Sequence, residues 1–254
     1  MTPSVLPTSA LGPAIRGIDP WASGNSSRGE MKQLLSEAER TRLANIASIV
    51  RFAKGAEIYH ADDTADAAFN VVSGVVKAFR TASDGSEHIA AFLFPGDVFG
   101  LSAEGRYVNS TKAITSLVAY QFSVSTLRDS LSKDAGLEFH VICKLFQELR
   151  QTQRHAFLLS QRRALSKLAM FLQMLEQLQT ARGESTAEIY LPMGRSEIGE
   201  YVGMSLGAVS RGFHILTRRG VISSRDRRHL KIVDRTAFER LAADPYGPFP
   251  TTVQ

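Results

Sequence analysis

The sequence predicts an α+β chain with three parts in series: an N-terminal antiparallel β-roll, a long dimerisation helix and a C-terminal winged helix-turn-helix. Three patterns carry that prediction. Between Arg51 and Val124, short runs rich in Val, Phe, Ile and Tyr are cut by glycine turns at intervals of roughly 8 to 12 residues, as in antiparallel sheets. From Ile142 to Leu159, apolar residues recur in alternating steps of three and four, a heptad seam. From Leu191 to Ile222, two short amphipathic segments flank Gly203 and lead into a basic hairpin. The expected parts are a flexible N-terminal arm at 1–30, the β-roll at 31–132, the dimerisation helix at 133–161, the winged helix-turn-helix at 162–241 and a flexible tail at 242–254.

The arm holds Pro3, Pro7, Pro13 and Pro20 and a Ser-Gly-Asn-Ser-Ser run, a composition with little capacity to form a core. A short helix is expected from Ser36 to about Ile49, with Ser36 as N-cap and Glu39 as its capping-box partner. Strands follow at Arg51–Phe52, Glu57–His60, Ala68–Val72, Val75–Thr81, Glu87–Phe94 and Ala119–Val124. Asp84-Gly85, between two of these runs, is the clearest hairpin turn.

The seam of the long helix consists of Ile142, Leu145, Leu149, Thr152, Ala156 and Leu159. One helix cannot bury such a stripe by itself, so a parallel pairing with a second copy is expected. A connecting helix from about Arg162 to Gln179 carries Leu165, Leu168, Ala169, Leu172 and Leu175 on one side. Gly183 ends it, and 184–188 is a polar linker.

In the helix-turn-helix, Ile198, Val202, Val209, Phe213 and Leu216 form the inner face, and Ser205 offers a hydroxyl to cap the second helix. Its outward residues Leu206, Gly207, Ser210 and Arg211 stand where base edges of a major groove would be read. Arg195, Ser205, Arg218 and Arg219 are phosphate candidates. Arg225, Arg227, Arg228 and Lys231 join them from the basic hairpin, a wing whose turn spans Asp226 to His229.

Charge placement agrees. Between Tyr190 and Arg240 there are ten basic and five acidic residues, an excess equal to the formal net charge of +5 for the whole chain. The positive field therefore belongs to the C-terminal region, which suits double-stranded DNA as partner. No apolar run reaches the roughly 20 residues that span a bilayer, and no secretory leader is recognisable, so a cytoplasmic protein without membrane contact is expected. The one cysteine, Cys143, cannot form an internal disulfide and is a redox candidate only. No Ser-His-Asp order, HExxH, phosphate loop or paired-Cys motif appears, so no enzyme is expected, and neither a cofactor nor a metal. The competing reading is a ligand-binding β-roll module whose C-terminal domain docks a protein partner.

The order of parts, together with SGVVKAF at Ser73–Phe79, DGSEHIAAFLFPGDVFG at Asp84–Gly100, RALSKLAMFL at Arg163–Leu172 and the run Leu191–Ile222, resembles the CRP/FNR family of bacterial transcription regulators. Within it the chain is similar to the FixK-like and FNR-like branch, and the match covers about Leu34 to Leu241. The resemblance implies a cyclic-nucleotide-binding-like roll, a homodimer, a palindromic DNA site with half-sites roughly 34 to 36 Å apart, and RNA polymerase as a further partner. It assigns Arg211 to a guanine edge, with Ser210 as its neighbour in the FNR branch. At position 207 most relatives carry a glutamate that accepts from a cytosine amino group. Gly207 lacks that carboxylate, so altered or relaxed preference is expected at the facing base pair.

The same resemblance locates an effector site, and this chain departs from it. Leu101 stands in place of the glutamate that holds a cyclic nucleotide's ribose, and Asn109-Ser110 stands where an arginine-serine pair would hold its phosphate. Arg106 and Lys112 are nearby cations at the wrong spacing. The iron-sulfur cluster of FNR needs an N-terminal run of cysteines, and residues 1–50 contain none. For haem, the candidate ligands are His60, His88, His140 and His155, each isolated in sequence. The expectation is a regulator controlled by neither cyclic nucleotide nor iron-sulfur cluster, whose activity follows its abundance.

Overall fold

A computed structural model of the chain describes residues 4–6 and 37–243. These residues form two compact units, one of 4–6 and 37–147 and the other of 148–243.

The first unit runs β1 (Ser4–Leu6), α1 (Glu37–Ile46), β2 (Ser48–Phe52), β3 (Glu57–Tyr59), β4 (Ala67–Ser73), β5 (Val76–Thr81), β6 (Glu87–Leu93), β7 (Val98–Phe99), β8 (Ser110–Ala113), β9 (Leu117–Ser123) and α2 (Val124–Leu131), then the first half of α3 (Ala135–Ser160). A five-stranded sheet in the order β1-β2-β9-β4-β7 faces a four-stranded sheet in the order β3-β8-β5-β6, and every pairing is antiparallel. Between them lies a core of Val50, Phe69, Val71, Val76, Phe99, Ala113, Leu117 and Ala119. The residues next to these point the other way, as the strand period of two requires. Ile49, Ala68, Tyr120 and Phe122 thus pack on the far side of the five-stranded sheet against Leu43 of α1, Leu127 of α2 and Leu137 of α3.

This is the antiparallel roll that the period of two predicts, with three departures. The helix expected to reach Ile49 stops at Ile46, because the β-branched Ile49-Val50 pair feeds both cores at once from β2. Ser4–Leu6, inside the segment expected to be a flexible arm, pairs with β2. Strands β7 and β8 were absent from the expectation. Ser36, the expected helix cap, lies outside the described residues, as do the rest of the arm and all but the first two residues of the tail.

Turns fix the register. Gly85 sits at φ +82 in the hairpin joining β5 to β6, where Ser86 accepts from its own turn through Ala82. Gly74 is the tighter case: at φ +92, an added Cβ would lie 2.2 Å from the Ser116 carbonyl oxygen, a backbone atom. Gly74→Ala is therefore expected to destabilise the roll by about 1–3 kcal/mol. A thermal melt lowered by only a degree would contradict that. The turn after β6 is held by Asp97, whose carboxylate accepts from the Phe94 amide at 2.8 Å and from the Lys144 ammonium of α3 at 2.8 Å.

The second unit contains the end of α3, then α4 (Ala164–Ala181), β10 (Ile189–Tyr190), α5 (Arg195–Val202), α6 (Leu206–Arg218), β11 (Ile222–Ser224), β12 (His229–Ile232) and α7 (Arg235–Leu241). Helices α5 and α6 pack on α4, and a three-stranded sheet in the order β10-β12-β11 closes the unit. Leu168, Leu172 and Leu175 of α4 are fully buried, as their stripe predicts. Helix α7, capped by the Asp234 carboxylate and tied to α4 through a two-pronged Arg235–Glu176 pair at 2.6 and 2.8 Å, was not anticipated. Among the described residues, no helix is long and apolar enough to cross a membrane.

Candidate nucleic-acid interface

The local sequence explains how α6 is presented. Gly203 ends α5 at φ +65, and the Ser205 hydroxyl accepts from the Ala208 amide at 3.2 Å to start α6. Ile198, Val202, Val209, Phe213 and Leu216 are all buried. Gly212 lets α6 sit close to α4, since an added Cβ there would meet Leu168 at 2.4 Å. The opposite face of α6 is left to solvent: Leu206, Gly207, Ser210, Arg211, His214, Thr217 and Arg218 are exposed. The four expected base readers therefore share one surface. His214 and Thr217 extend it, and the sequence reading missed both. The signal was available, since they follow Ser210 and Arg211 by helical steps of three, four and seven.

The eight expected phosphate residues divide into two groups. Arg218, Arg219, Arg227 and Lys231 are exposed and make no ion pair with the described residues, and Ser205 is exposed at the cap. The remaining three are engaged by the protein itself. Arg195 lies flat on Phe213, its guanidinium carbon 3.4 Å from the ring centroid, and burial brings its pKa down to about 10. Arg228 donates to the carbonyls of Leu191 and Pro192, bracing the wing against the start of α5. Arg225 pairs with Glu188 at 2.8 Å while staying exposed. The wing turn is organised by Asp226, whose carboxylate accepts from the Arg228 amide at 2.6 Å and sits 2.9 Å from the His229 ring. Those contacts hold its pKa down to about 2, the Arg228 amide contributing most.

Along α3, all six seam positions are exposed; Ile142, Leu145, Leu149 and Leu159 retain 43, 49, 53 and 44 % of their surface. Phe139 and Phe146 are exposed beside them. Cys143, the redox candidate, is the reverse: it is 1 % exposed, so an oxidant reaches its thiol only if the packing opens.

The roll's effector region also has its polar groups engaged. Arg106 donates to the Asp62 carbonyl at 2.6 Å, and Lys112 lies 3.6 Å from Glu57. Tyr107 stacks on Tyr59 with centroids 3.6 Å apart, and its hydroxyl donates to the Ala67 carbonyl at 2.8 Å. Tyr59 in turn lies against Phe69 and Phe99, so four rings fill this end of the roll. Burial raises the pKa of both tyrosines, which keeps their hydroxyls neutral. Among the described residues, the cations near the expected phosphate position, Arg106 and Lys112, are thus each engaged by the roll itself. Among the described residues, no group of three or more His, Cys, Asp or Glu side chains is placed to hold a metal. His60, His140 and His155 are each engaged, by Glu57, Glu39 and the Tyr201 carbonyl respectively.

Comparison with known proteins agrees with this architecture. Residues 49–134 match the profile of the Cyclic nucleotide-binding domain, and residues 166–241 that of the Crp-like helix-turn-helix domain. The nitrogen fixation regulation protein FixK of Azorhizobium caulinodans is 30% identical over 243 residues, covering 94% of this chain and 97% of the relative. The chain belongs to the CRP/FNR family and is FixK-like. It is thus a transcription regulator with a DNA-binding helix-turn-helix, in a family of regulators rather than enzymes. The regulatory protein HlyX of Actinobacillus pleuropneumoniae is 30% identical over 192 residues, 74% of this chain and 80% of its own. Among solved structures, FixK2 from Bradyrhizobium japonicum superposes with a TM-score of 0.73 at 29% identity, covering 78% of this chain and 98% of that one.

Proposed function

We propose that this FixK-like chain acts in the cytoplasm as a homodimer on a palindromic DNA site, with Arg211 and Ser210 on base edges. Arg218, Arg219, Arg227 and Lys231 hold phosphates, and Arg225 joins them by giving up Glu188. The observation that carries the reading is the outward face of α6, where Arg211 stands exposed on a helix fixed from behind by Val209, Phe213 and Leu216. A planar guanidinium can meet O6 and N7 of guanine together. The exposed apolar stripe on α3 supports pairing with a second copy. RNA polymerase is the partner through which bound protein changes transcription.

The roll is proposed to work without a cyclic nucleotide. Leu101, the Arg106–Asp62 contact and the four stacked rings support this, since an apolar, already engaged site repays desolvation of a phosphate poorly. The test of the whole reading is selection of bound duplexes from a random pool, followed by mapping of occupied sites in cells with and without the protein. Recovery of a two-fold symmetric sequence is expected, with no change on adding cyclic nucleotide. Enrichment of nothing above background would sink it.

Gly207 makes a narrower prediction. An added Cβ would lie 3.2 Å from Nη1 of Arg211, the far end of a flexible side chain that can move aside. Gly207→Glu should therefore fold, and gain roughly 0.5 kcal/mol in helix propensity. At the facing base pair it should add roughly 1–3 kcal/mol of preference. Selections run in parallel on both proteins check this; a wild-type protein already fully selective at that pair would overturn it.

A further inference from the structure

We propose that His214 is a further DNA contact, its imidazole donating to a guanine edge or a phosphate oxygen, and that its protonation tightens binding as pH falls. The inference rests on the DNA-binding reading above. A residue turns by about 100° per step along an α-helix. By that geometry Gly207, Arg211, His214 and Arg218 form one stripe, opposite the buried Val209, Gly212 and Leu216. His214 lies about 6 Å along the axis from Ser210 and less than one turn from Arg211. A side chain there projects from the same face of α6 as Arg211.

Its surroundings separate it from the other histidines of this unit. The His155 ring stacks on Tyr201 at 3.9 Å and bonds to its carbonyl at 2.7 Å, and His229 is held by Asp226. His214 is exposed and shares no hydrogen bond or ion pair with the described residues. Helix α6 contains no Asp or Glu, so its charged neighbours there are Arg211 and Arg218. The ionisable groups on the elements packed against α6 are committed elsewhere. On α4, Lys167 donates to the Val202 carbonyl and Glu176 holds Arg235; on α5, Arg195 lies on Phe213, Glu197 accepts from Gly194 and Glu200 from Ser196. Strand β11 has none. The acceptors left for an imidazolium are those of the ligand, and DNA supplies them densely.

The sign follows from linkage. A histidine that pairs with an acceptor in the complex binds its proton more tightly there than in the free protein. The added affinity is thus complete at low pH and is lost as pH rises across the imidazole range, about pH 6 to 8.

The experiment uses the full chain and a duplex recovered by the wild-type protein from a random pool, with anisotropy read at pH 6 and pH 8 and constant ionic strength. The wild type should bind about fivefold or more tightly at pH 6. His214→Ala and His214→Gln should lose that difference, while His229→Gln keeps it; matched melting curves show that the variants fold. His214→Ala with the wild-type pH profile would overturn the proposal. Two further arms identify the acceptor, and either supports it. Loss of the pH effect with 7-deazaguanine points to a base edge; a salt slope steeper at pH 6 by about 0.9 per half-site points to phosphate. Failure of the wild type to prefer any duplex would bring down the DNA-binding reading together with this one, whereas Arg211-dependent binding indifferent to His214 removes this one alone.

Discussion

Arg211→Ala is expected to abolish discrimination between the selected site and a scrambled duplex while leaving weak, salt-sensitive DNA binding in place. One bidentate arginine–guanine contact is worth roughly 1–3 kcal/mol, and a symmetric site uses it twice, so the loss per dimer is roughly 2–6 kcal/mol, at least about thirtyfold. Non-specific affinity should change little because Arg218, Arg219, Arg227 and Lys231 remain exposed and available to phosphates. Arg211→Lys separates charge from shape, since lysine keeps the positive charge without the planar fork and should behave like alanine in the discrimination assay. The measurement is anisotropy on both duplexes at one salt concentration. An unchanged ratio in Arg211→Ala would remove this residue from base reading.

Placing two carboxylates in the α3 stripe should have an effect of similar size. Leu145 and Leu149 are about half exposed in the single chain, so Leu145→Glu with Leu149→Glu is expected to leave both units folded. In a pair of helices the same positions would be buried against their counterparts, and the half of each side chain still exposed would contribute about 1 kcal/mol by its apolar area. Replacing them with charges turns that gain into a desolvation cost. Sedimentation should report a monomer, circular dichroism an unchanged helix content, and anisotropy a loss of tight binding, because one half-site alone is engaged. Dimers that persist in the double variant would refute the pairing surface.

How far the sequence revealed these features depended on how local their causes are. The inner face of the helix-turn-helix and the Ser205 cap follow from spacing within a dozen residues. The Asp84-Gly85 hairpin follows from a turn dipeptide between two apolar runs. Strand β7 and strand β10 have two residues each, too short for any period. Strand β8 reads Ser-Thr-Lys-Ala and owes its place to β3 and β5, which lie far away in sequence. The same distinction runs through the site. Arg211 is exposed because of its own helix, and its position was legible. Arg228 and Arg195 look identical to phosphate binders in sequence, and only the carbonyls of Leu191 and Pro192 and the ring of Phe213 commit them to scaffolding.

The Lys144–Asp97 contact fixes more than one turn of the roll. It fastens the first half of α3 to the sheet sandwich, and the pair is mostly shielded from water, with 15 and 13 % of the side-chain surfaces accessible. In a dimer, the azimuth at which α3 offers its stripe is then inherited from the sandwich rather than chosen by the helix. For the homodimer proposed above, subunit affinity is then coupled to roll integrity, and a lesion that loosens the β6–β7 turn is expected to weaken the dimer.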